Sequence, residues 1–91
     1  MTAADFLAAF PQTERDFTTG GGCTAWRVPL AEGWYALLTD GDAQQPDEQA
    51  RRVFVGVYDE CDGAVDFEDS DLINWGTAIA LVRDWNRPEF R

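Results

Sequence analysis

Seven carboxylates, Asp59, Glu60, Asp62, Asp66, Glu68, Asp69 and Asp71, fall within thirteen residues of this chain, with no Lys or Arg among them. Side chains of this type and density suit three kinds of chemistry: oxygen ligation of a hard cation, acid and base work by a carboxyl pair, or display of negative charge to a basic partner. An EF-hand loop needs oxygen donors at fixed positions and a glycine at the sixth. With Gly63 placed there, Glu60 and Asp62 take the third and fifth positions, but Tyr58 falls at the first and Asp69 where a bidentate Glu belongs. The flanking residues read as strands, not helices, so the pattern does not apply and no metal is expected. Glycoside hydrolysis needs two acids in a substrate-sized cleft with divergent environments. A chain of 91 residues has little material for such a cleft.

Nucleophilic catalysis has no better footing. The chain has no His and no Lys, its only Ser is Ser70 at an expected helix start, and neither Cys23 nor Cys61 has an identifiable base. Gly20, Gly21 and Gly22 invite comparison with a phosphate loop, but Cys23 and Thr24 follow where that loop needs Lys and Ser or Thr. The run reads as a flexible turn. The expectation is a protein that is not an enzyme and carries no cofactor.

Seventeen acids against seven Arg give a formal net charge of -10. Such a chain repels nucleic acid and anionic membrane surfaces and attracts basic partners. The only clustered bases, Arg51 and Arg52, lie in an acidic stretch, so direct nucleic-acid binding is not expected. A compact domain that displays rows of carboxylates imitates the charge of a nucleic-acid backbone and suits the basic groove of a nucleic-acid-binding protein. In size and charge the chain resembles small acidic phage-encoded inhibitors such as anti-CRISPR proteins, although no motif is shared residue by residue. The clustered charge points to a non-enzymatic inhibitor or adaptor whose seven carboxylates between Asp59 and Asp71 form the protein-binding site. The alternative is a structural or assembly subunit that self-associates, as a homodimer, through an exposed sheet face or edge strand.

The elements that must position these residues follow from hydrophobic periodicity. Ninety-one residues with 12 aromatics make one domain, residues 1–91, with enough large side chains for a core. Ala3, Phe6, Leu7 and Phe10 fall on one stripe of a helix that starts at Thr2 and is stopped by Pro11. Thr2 and Asp5 have capping-box spacing. Residues Gln12 to Gly22 read as a connection. Strands are expected over Thr24–Leu30, Trp34–Thr39, Val53–Tyr58 and Ala64–Glu68, the last pair joined by the tight-turn dipeptide Asp62-Gly63. Val65 and Phe67 would face the core, and Asp66 with Glu68 would form a spaced acidic row facing water. Asp40–Arg52 reads as either a mobile loop or one helical turn from Pro46.

A final helix is expected to be capped by Ser70 or Asp71 and to run to about Trp85. Leu72, Trp75, Ala78, Ile79, Leu81, Val82 and Trp85 line its apolar face. The expected fold is therefore α+β: a four-stranded antiparallel meander with the C-terminal helix packed on one face and the short N-terminal helix beside it (α-β-β-β-β-α). With no long apolar run and no signal peptide, the cytoplasm is the expected compartment, with Cys23 and Cys61 as reduced thiols.

Overall fold

The computed structural model describes residues 1–42, 44–59, 65–68 and 72–86. It is an α+β fold built on an antiparallel sheet with two helices. Helix α1 (Ala3–Ala9) starts at the expected capping box: Asp5 N donates to Thr2 Oγ1 at 3.4 Å and Thr2 N donates to Asp5 Oδ2 at 2.8 Å. Strand β1 is Glu14–Gly20, β2 is Cys23–Pro29, β3 is Trp34–Thr39, β4 is Arg52–Asp59 and β5 is Val65–Glu68. These five strands neighbour one another in chain order, so the sheet is a meander. A two-residue strand β6 (Ile73–Asn74) pairs with Arg52 and Val53 at the start of β4, and helix α2 (Trp75–Trp85) follows it directly.

The sheet thus has five consecutive strands where four were expected, because residues 14–20 pair as β1 instead of forming a connection. Phe17 is the one large apolar side chain in ERDFTTG, so the stretch shows no alternating pattern, as suits an edge strand. The glycine run is its hairpin turn. Gly20 pairs with Cys23, and Gly21 and Gly22 have φ of 61° and 81°, the two positive values that a two-residue type I′ turn requires. Pro29 ends β2, beyond the last pairing of β1 with β2 at Arg27, so its missing N–H breaks no ladder.

Alternation places Trp26 and Val28 of β2, Ala36 and Leu38 of β3, and Val53, Val55 and Val57 of β4 on one face. Both helices cover that face. Phe6 lies between Phe10, Trp26 and Trp75, with ring centroids 4.8, 6.4 and 5.5 Å away. Ala78, Ile79 and Val82 of α2 complete the core, and Leu81 and Trp85 are packed at its margin. Trp26 is buried, whereas Trp34 is half-buried against Trp85 at 4.9 Å.

Helix α2 begins later than expected. Its N-cap is Asn74, whose Oδ1 accepts from Thr77 N at 2.8 Å, because pairing with β4 keeps Ile73 and Asn74 extended. Leu72 consequently precedes the helix and is exposed. The expected caps Ser70 and Asp71 lie outside the described residues, as does Cys61 of the thiol pair.

Candidate protein-binding surface

Asp59 is the last residue of β4, half-buried and paired in register with Trp34. Asp66 and Glu68 belong to β5, where Glu68 pairs with Gly56, Phe67 with Val57 and Val65 with Tyr58. A register shift falls between the Phe67 and Val65 pairings. Asp66 and Glu68 thus lie on the edge strand β5, and Asp59 at the end of its neighbour β4. Glu60, Asp62, Asp69 and Asp71 lie outside the described residues.

A second acidic surface is assembled by tertiary contacts and was not foreseen. Asp40 organises its own loop, its Oδ1 accepting from Asp42 N at 2.7 Å and Gln44 N at 3.2 Å, while its N–H donates to Gln44 O at 2.8 Å. The loop then docks on the β1–β2 hairpin. Thr24 Oγ1 donates to Gln44 Oε1 at 3.1 Å and accepts from Gln45 N at 3.2 Å. The Gln45 amide brackets Asp16, accepting from its N–H at 2.9 Å and donating to its Oδ1. Asp16 has φ of 62° at a register irregularity of β1, a conformation that Asp tolerates better than most residues.

Pro46 is fully buried, Asp47 Oδ1 accepts from Gln49 N at 2.7 Å, and Trp75 Nε1 donates to Ala50 O at 2.6 Å. In place of a helix from Pro46 there is one hydrogen-bonded turn, with Ala50 N donating to Asp47 O at 3.1 Å, and side-chain hydrogen bonds tie the stretch to the β1–β2 hairpin and α2. The result is a recess of about 380 Å³ lined by Arg15, Asp16, Trp26, Gln45, Pro46, Asp47 and Glu48. Its sequence signal was a lone Pro and two Gln in an acidic loop, polar groups that need partners, but only the fold identifies those partners.

The sheet face away from the helices is aromatic. Arg27 lies 4.8 Å from the ring centroid of Tyr35 and 5.6 Å from that of Phe17, and its guanidinium pairs with Glu14 at 3.3 Å. Tyr35 stacks on Tyr58 at 5.5 Å, and Leu37 and Phe54 lie on the same half-exposed face. The Tyr58 ring crosses Gly56, where an added Cβ would meet Tyr58 Oη at 2.6 Å.

No polar or charged residue is buried among the described residues, and no three His, Cys, Asp or Glu side chains there converge as a metal site. No described helix is long and apolar enough to cross a membrane. No family model matches this chain, and comparison with curated proteins and with solved structures found none similar to it.

Proposed function

We propose that this protein is a non-enzymatic binding module whose surface carboxylates engage a basic, nucleic-acid-binding protein partner by imitating the charge of nucleic acid. The observation that carries this reading is where the charge lies. No carboxylate whose side chain is described is buried, and most are exposed, in a chain with ten more acids than bases. Acid and base chemistry needs a carboxyl group whose environment separates its titration from that of its partner. Surface carboxylates on a preformed sheet suit long-range attraction and docking instead.

The test is a pull-down with the tagged chain from lysate of its source or that organism's host, eluted in rising salt. A nucleic-acid-binding protein released at moderate salt, and displaced by added DNA, is the expected result. Asp66→Lys, Glu68→Lys and Asp69→Lys together should abolish that capture while thermal unfolding stays cooperative; undiminished capture by the triple variant sinks the reading.

The aromatic face of Phe17, Tyr35, Leu37, Phe54 and Tyr58 favours a second reading, self-association, since partly exposed aromatics beside an Arg are common interface residues. Sedimentation at several concentrations in low and high salt separates the two. A salt-resistant dimer supports self-association, and a monomer supports the charge reading.

A further inference from the structure

We infer that the sheet face away from the helices packs against the same face of a second copy of this chain, about a two-fold axis that sets each Arg27 against the other copy's Glu14; this rests on the self-association reading above. The side chains there form a flat layer. Tyr58 crosses Gly56 and stacks on Tyr35, Arg27 lies over the rings of Phe17 and Tyr35, and Ala25, paired with Phe17, is fully buried on the side away from both helices. A flat aromatic layer suits sheet-on-sheet packing, in which the two sheets lie about 10 Å apart. Five strands about 4.8 Å apart, most of them six to eight residues long at about 3.3 Å each, give a face of roughly 24 by 20 Å. Side-chain relief adds to its roughly 500 Å² of projected area, which brings it to the lower end of a specific interface, about 600 Å² per partner.

Charge selects a second copy over a basic partner. At its regular register positions this face holds Glu14 and Glu68 against Arg27 and Arg52, two acids and two bases, in a chain with ten more acids than bases. A patch so balanced offers a basic partner no net attraction, while two copies meet on it without the repulsion that their acidic surfaces would impose. The Arg27–Glu14 pair is also self-complementary. Under a two-fold axis each cation faces the other copy's carboxylate, and each carboxylate the other copy's cation. Glu14 is 52% exposed and within reach, and a guanidinium has five N–H groups, enough to serve Glu14 of both copies. Tyr, Phe and Arg are moreover the side chains in which interfaces are enriched.

The test is sedimentation of the full chain from about 5 to about 500 µM at about 0.15 M salt, where a Debye length of about 8 Å screens the net charge more than it screens contact pairs. A concentration-dependent dimer is expected. Arg27→Glu and Glu14→Arg should each weaken it about tenfold or more, because each sets like charges together across the axis. An equimolar mixture of the two variants should recover the dimer, since opposite charges then face each other at both contacts. Leu37 is half-exposed on the same face, and Leu37→Lys should give a folded monomer with an unchanged urea slope. A wild-type chain that stays monomeric throughout overturns the self-association reading and the interface with it. A dimer indifferent to Leu37→Lys overturns this face alone, and two weakened variants that stay monomeric on mixing overturn the exchanged pair.

Discussion

At the scale of single residues, the positions that matter most are those where one atom sets the course of the backbone. Asn74 ends β6 and starts α2, and its Oδ1 satisfies an N–H of the first helical turn. Asn74→Ala should therefore cost about 1 kcal/mol, read as a lowered urea midpoint at unchanged slope, while Asn74→Asp should retain most of the stability. Gly22 illustrates the opposite kind of constraint. Nothing lies within 4 Å of an added Cβ, yet its φ of 81° is one that side chains rarely adopt. Gly22→Ala should thus destabilise by about 1 kcal/mol through backbone strain alone, and Gly22→Asn by less, in the same urea titration. Ser70 and Asp71 are both good N-cap types, so local sequence alone predicts the cap there. The two-residue pairing with β4 that delays the helix to Asn74 is a contact between positions twenty-one or so apart, which no local pattern encodes.

Elements differ in how much they depend on one another. Helix α1 has seven residues, too few for stability in isolation, and Phe6, fully buried, is its main anchor in the aromatic cluster with Trp26 and Trp75. Phe6→Ala is expected to cost about 3–5 kcal/mol, a large share of the stability of a domain this small, and to speed exchange of the α1 amides toward that of free chain. The docked loop makes a milder prediction. Gln45→Ala removes the acceptor for Asp16 N–H, so that amide should lose protection in hydrogen exchange while the Leu38 and Val55 amides of the central strands keep theirs. Strands β2, β3 and β4 were legible within a residue, and most of the apolar face of α2 with them, because large apolar side chains recur in them at a regular period. Strand β1 was not, because an edge strand with one apolar anchor and an irregularity at Asp16 carries no period to read.

For the whole molecule, the net charge of -10 makes two salt effects of opposite sign. Screening relieves self-repulsion within the folded chain, so raising NaCl from about 10 mM to about 1 M, which shortens the Debye length from about 30 Å to about 3 Å, should raise the unfolding midpoint. The same change should weaken capture of a basic partner. A midpoint that fell with salt would mean that favourable ion pairs outweigh repulsion, against the exposed Arg15–Glu48 and part-buried Arg27–Glu14 pairs seen here. Composition and periodicity alone determined the charge, the lack of His and Lys, the α+β class, and the positions of strands β2, β3 and β4 and of the two helices to within a few residues, since these depend on residue types and their local spacing. Tertiary structure decided that the glycine run closes a fifth strand, that Arg27 lies between aromatic rings, and that an acidic loop folds onto β1 to frame a recess over Trp26. Those features depend on side chains far apart in the chain meeting at one place, and only the path of the folded backbone brings them together.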